Sequence, residues 1–95
     1  MNNLSNIKTF YFVGIGGIGM SALARYFKMQ GKAVFGYDKT VTDLTKELVV
    51  EGIPITFIDE VSEIQQEVIA NKNVLVVYTP AIPKGSKILN YFNVE

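Results

Sequence analysis

Short apolar runs recur along the chain, separated by polar stretches whose apolar positions return at helical spacing. Phe10 to Val13 is apolar without alternation, which predicts a strand over 9–13 covered on both faces. Met20, Leu23, Ala24 and Phe27 then share one helical face, so a helix is expected from about Gly19 to Gln30, closed by Gly31 in a left-handed C-terminal position. A second strand, Ala33 to Tyr37, ends at Asp38. Leu44 and Leu48 mark a helix from about Asp43 to Glu51 that stops at Gly52. Ile53 to Phe57 predicts a short third strand, placed near an edge by Pro54, which lacks an N–H to donate. Ile64 and Val68 predict a helix over about 61–70, with Glu63, Gln66 and Glu67 towards water. The run Val74 to Thr79 is continuous and β-branched, and is therefore expected to be central in the sheet. Ser86 is placed to cap a short helix reaching Phe92, while Met1 to Asn6 reads as a frayed lead-in and Asn93 to Glu95 as the possible start of a further strand.

Strands alternating with helices, none of them amphipathic in period two, predict an α/β fold: a doubly wound parallel sheet of about four to five strands with flanking helices. A chain of 95 residues suffices for one modest domain and not for two. Nine basic residues balance nine acidic ones, which argues against an electrostatic nucleic-acid binder or a polybasic membrane surface, so any anion must be held by local geometry. Cysteine and histidine are both absent, which removes disulfides, thiolate and imidazole metal ligands, and histidine general bases. The lack of cysteine fits a reducing cytoplasm, and no apolar run is long and unbroken enough to span a bilayer.

The chemistry-bearing stretch is Tyr11 to Ala24, YFVGIGGIGMSALA. Gly14, Gly16 and Gly19 fit G-x-G-x-x-G between a strand and a helix. In that motif the first glycine permits a tight turn, the second lets the backbone approach a phosphate, and the third allows close packing of helix on strand. Gly17 is a fourth, and Ser21 and Ala22 keep the first helical turn slim. With so little side-chain bulk, the amides of the turn and of the first helical residues can face one anion at the positive end of the helix dipole, a cradle for a diphosphate. The competing readings are a purely structural turn and a secretory leader. Against the leader stand the four glycines and the amphipathic continuation through Gln30.

Asp38 lies nineteen residues past Gly19 at the tip of the second strand, where a carboxylate can accept from ribose hydroxyls; it could instead cap the next helix, a task that Thr42 or Asp43 could take over, leaving Asp38 free. Thr79 to Pro83 follows the fourth strand at the same sheet edge. Thr79, Pro80 and the backbone of Ala81 are therefore second-line contacts, unless the prolines merely terminate a strand.

The run Phe12 to Ala22, FVGIGGIGMSA, strongly resembles the N-terminal domain of the Mur ligases. Gly36-Tyr37-Asp38 is similar to the family's segment after its second strand, Leu48 to Ile53 resembles its "L...GI" stretch, and Val77 to Pro83 resembles its "VYSSAIP" segment. This likeness implies a Rossmann-like domain that binds the UDP part of UDP-N-acetylmuramate. The backbone of Gly16, Gly17, Ile18 and Gly19, with Met20 and Ser21, would hold the diphosphate; Asp38 would meet the uridine, and Thr79, Pro80 and Ala81 would line the sugar-diphosphate side. It further implies a parent enzyme that uses ATP and Mg²⁺ in other domains to join L-alanine to the muramyl carboxylate in cytoplasmic peptidoglycan synthesis. No G-x-x-x-x-G-K-[ST] loop occurs in these 95 residues, so no cofactor and no catalytic residue are expected here, and the ATP-binding central and C-terminal domains would be separate parts of a longer protein. Two positions depart from the family pattern. Phe57-Ile58-Asp59 stands where a Gly-His pair is usual, and Thr79-Pro80 where two serines are usual. The alternatives are an NAD(H)-binding module of a dehydrogenase or nucleotide sensor, resting on the same glycines and Asp38, and the related ligase for murein tripeptide.

Overall fold

A computed structural model describes residues 6–92; all of the lead-in expected at 1–6 except Asn6, and the further strand suggested at 93–95, lie outside the described residues. Four strands, β1 (Thr9–Val13), β2 (Ala33–Tyr37), β3 (Ile55–Thr56) and β4 (Val74–Tyr78), form one parallel sheet in the order β3-β2-β1-β4. The helices are α1 (Ile18–Met29), α2 (Asp43–Val50), α3 (Gln66–Ile69) and α4 (Lys87–Tyr91). The expected doubly wound arrangement is present. Phe10, Phe12 and Val34 point to one face and pack with Met20, Ala24 and Phe27 of α1 and Leu48 of α2. Tyr11, Val13, Phe35 and Tyr37 point to the other and pack with Ile64, Val68 of α3 and Ile88 of α4. Strand alternation thus divides one apolar run between two cores, which is why β1 is uniformly buried and shows no period of two. On the first face the rings of Phe10 and Phe27 stack with centroids 4.0 Å apart. On its outer side Arg25 of α1 grips Glu51 through two nitrogens at 2.7 and 2.8 Å and reaches Glu47 at 3.1 Å, fixing α1 against α2.

Gly31 and Gly52 close α1 and α2 with φ of +85° and +98°, as their positions predict. Three expectations need correction. The helix over 61–70 is broken into a 3₁₀ turn at 61–63 and the four-residue α3, with Ile64 extended between them. The break coincides with Gln65 turning inward, where its Nε2 donates to the carbonyls of Gly36 and Pro54. Ile64 and Val68 are both buried all the same, so their pattern recorded burial on one face and not an unbroken helix. Secondly, β4 is not central: among the described residues it is one of the two outer strands, half-buried along most of its length. Leu75 and Val77 pack on one core and Val74 and Val76 on the other, so an apolar run reports two covered faces without reporting how many strands flank it. Thirdly, β3 pairs through only two residues, Ile55 and Thr56, yet it takes the edge position that Pro54 implies.

Candidate functional site

At the carboxyl end of β1 the chain makes a turn whose amides are almost all accounted for. The N–H groups of Gly14 and Ile15 donate to the carbonyl of Tyr37 at 2.8 and 3.0 Å, and Gly17 N–H reaches Gly14 O at 3.3 Å. Gly16 N–H donates to Asp38 Oδ2 at 2.8 Å. The next three amides, of Ile18, Gly19 and Met20, meet no acceptor among the described residues, and Gly17 as N-cap supplies no side-chain oxygen. Ser21 closes the turn from below: its N–H donates to Gly17 O at 2.8 Å and its hydroxyl to Ile18 O at 3.0 Å. Three unpaired donors therefore stand at the positive end of a twelve-residue helix, beside the switch in strand order between β1 and β4.

The glycines divide the labour differently from the motif's usual account. Gly14 makes the tight turn with φ +89°, where a Cβ would also lie 2.9 Å from Ile82 Cδ1. What approaches Gly16 closely is Asp38: a Cβ there would sit 2.8 Å from Oδ2 and 3.0 Å from Thr45 Cγ2. Gly19 has nothing within 4 Å of its Cβ position, so the third glycine is not a packing device but leaves the helix mouth open. The close packing falls to Gly36, where a Cβ would lie 2.6 Å from Ile15 Cδ1 and 3.0 Å from Phe12 O. The G-x-G-x-x-G spacing does not include Gly36; a glycine inside an apolar strand was the physical signal.

The remaining expected residues separate into two groups. Asp38 is not free, although Thr42 does cap α2: Thr42 and Thr45 form a reciprocal capping box at 3.1 and 2.8 Å, while Asp38 accepts from Gly16 N–H and, through Oδ1, from Thr40 N–H at 3.0 Å. Ala81 joins Gly14, Tyr37, Asp38, Lys39, Asp59, Ile82, Pro83 and Ser86 around a cavity of about 470 Å³ at the same sheet edge. Thr79 and Pro80 do not line it; they face a neighbouring depression with Tyr78, Lys84 and Asn90, and Thr79 Oγ1 accepts from Ala81 N–H at 3.3 Å. Ile18 is exposed at the mouth of the turn, whereas the Met20 and Ser21 side chains are buried beneath it.

Sequence reasoning missed three of the cavity's polar groups. Lys39 is exposed and is the one cation among the described residues that line it. Tyr37 lies at the wall, its phenol held neutral beyond the usual range first by burial and then by the charges of Asp59 and Asp38. Asp59 is a carboxylate whose Oδ1 accepts from Ser86 Oγ at 3.2 Å and from Ile88 N–H at 2.9 Å, so it braces the start of α4. The signal for Asp59 was its place after β3, at the carboxyl edge where open α/β sheets bind ligands.

The sequence profile of the Mur ligase family, catalytic domain, matches residues 9–95. The chain belongs to the Mur ligase family. Mur ligase relatives agree along its length: it is 52% identical over 88 residues to a UDP-N-acetylmuramate--L-alanine ligase of Christiangramia forsetii, covering 92% of this chain and 20% of that protein. The corresponding ligase of Flavobacterium psychrophilum is 54% identical over 90 residues, covering 95% of this chain and 20% of that protein. A solved Mur ligase structure, UDP-N-acetylmuramate-alanine ligase from Thermotoga maritima, superposes with a TM-score of 0.73 at 32% identity, over 90% of this chain and 19% of that one. The chain thus spans about a fifth of the length of the Mur ligases it matches.

Proposed function

We propose that this chain is the UDP-N-acetylmuramate-binding domain of an ATP-dependent, cytoplasmic ligase that adds L-alanine to that nucleotide sugar in peptidoglycan synthesis. The observation that carries the reading is the bare start of α1, where the amides of Ile18, Gly19 and Met20 lack acceptors beside a cavity of the right scale for a nucleoside. The names of the relatives supply the ligand. In this reading those three amides hold the diphosphate, with Gly14, Gly16, Gly17 and Ser21 shaping the turn beneath it. Asp38, already tied to Gly16, meets the ribose, and Ala81 with Ile82 and Pro83 forms the opposite wall. Thr79 and Pro80 lie on the side towards which the sugar extends. ATP and Mg²⁺ belong to domains outside this chain, which has no lysine-bearing phosphate loop, so the isolated chain binds nucleotide without ligating it.

A ligand that binds only the folded state stabilises it by RT ln(1 + [L]/Kd), about 2.7 kcal/mol at a hundredfold excess over Kd. Thermal shifts with UDP, UDP-N-acetylmuramate, NAD and NADP therefore test the reading. Both uridine compounds are expected to raise the melting temperature and the nicotinamide dinucleotides to leave it unchanged. A shift with NAD and none with either uridine compound contradicts it.

A further inference from the structure

Asp59 differs from the other carboxylate of the cavity in how its oxygens are spent. Both oxygens of Asp38 accept backbone N–H groups. In Asp59, Oδ1 alone takes both the Ser86 hydroxyl and the Ile88 amide, and no donor among the described residues reaches Oδ2. The side chain is thus fixed by two bonds on one oxygen and offers the other, and it lines the 470 Å³ cavity together with Tyr37, Lys39 and Ala81. A braced carboxylate oxygen is acceptor-only and selects a partner that donates. Resting on the nucleotide reading above, we infer that Asp59 is a base-specificity residue, accepting a hydrogen bond from the imide N3–H of uracil. At the equivalent ring position cytosine presents a lone pair, which a carboxylate oxygen repels. Selection of this kind is strong because the wrong base leaves the site's polar atom unpaired.

Two measurements on the chain test this, using UDP, CDP and N3-methyl-UDP as probes in calorimetric titration. The unaltered chain is expected to bind UDP at least tenfold more tightly than either CDP or N3-methyl-UDP; equal affinity for UDP and N3-methyl-UDP overturns the inference. Asp59→Asn keeps an oxygen to accept from Ser86 and Ile88 and puts an NH₂ group where the unpaired oxygen stood. Its UDP-to-CDP affinity ratio is expected to fall at least tenfold, because the new amide N–H donates to cytosine N3 and opposes uracil N3–H, whereas loss of bracing alone would weaken contacts to the ribose and diphosphate that both nucleotides share. An unchanged ratio with UDP binding retained overturns the role of Asp59 and leaves the nucleotide reading standing. Failure of the unaltered chain to bind any uridine nucleotide overturns both.

Discussion

Three helices begin at or beside the same sheet edge, and their N-termini are finished in different ways. The start of α2 is closed by the Thr42–Thr45 box, and the start of α4 by Ser86, whose Oγ accepts from Leu89 N–H at 3.2 Å, and by Asp59. The start of α1, the longest of them, has glycine at its N-cap and three amides without partners. A side-chain cap is worth about 1 kcal/mol, so its omission at one terminus and provision at two others distinguishes structural ends from an end held open. The difference teaches that α1 alone of the three keeps open donors at its start, which is what the proposed diphosphate seat requires.

Each way of disturbing this contrast has a predicted size. The largest is Gly36→Ala: the new Cβ meets Ile15 and the Phe12 carbonyl, and the backbone oxygen cannot rotate away. Overpacking of this kind costs about 2–3 kcal/mol, read as a lower urea midpoint, and it tilts the turn carrying the bare amides, so UDP affinity falls with stability. Gly16→Ala is expected to cost about 1–2 kcal/mol, because Asp38 can swing aside while Thr45 cannot do so as readily. It separates the Asp38 tether from the amides of α1: weakened ribose contact with the diphosphate retained appears as a larger loss for UDP than for inorganic pyrophosphate. Thr42→Ala removes a cap that does not itself line the cavity and is expected to cost about 1 kcal/mol with UDP affinity unchanged; a loss of UDP binding would blur the distinction between the two kinds of helix start.

The smallest effect at neutral pH comes from the tyrosines. Burial, then the charges of Asp59 and Tyr37, hold the Tyr11 phenol neutral well above its ordinary range, and Tyr37 shifts the same way. An unfolded tyrosine ionises near pH 10. Below that pH both states keep the proton and stability is unaffected. Above it the unfolded chain releases a proton that the folded chain retains, so stability falls by about 1.4 kcal/mol per pH unit for Tyr11. Tyr11→Phe is expected to flatten the decline of the melting temperature between pH 10 and 11.

Much of the fold could be read before any coordinates because each strand is an apolar run bounded by glycine, proline or a capping residue. The two faces of β1 follow from alternation, and Gly31, Gly52 and Ser86 end or start helices where expected. The outer position of β4 was not legible, since apolarity on two faces is the same for a central strand and for one covered by helices alone. The break at Ile64 was hidden too, because Gln65 reaches the carbonyls of Gly36 and Pro54 across a long stretch of sequence. At the site, the glycine spacing marked the turn and the open helix start, but which amides remain unpaired depends on Asp38 taking Gly16 N–H, a contact spanning 22 residues.

The most direct test of the bare helix start is to cap it. Gly17 has φ −66° and ψ 151°, a conformation open to any residue, and a Cβ there meets only ordinary contacts, so Gly17→Asp fits the present backbone. Its carboxylate would accept from the free amides and complement the helix dipole, raising stability by roughly 0.5–1 kcal/mol. Measured on one sample by thermal denaturation with and without UDP, the variant is predicted to melt higher than the parent when unliganded and to lose the shift that UDP produces. A variant that gains no stability and still responds fully to UDP would contradict the account.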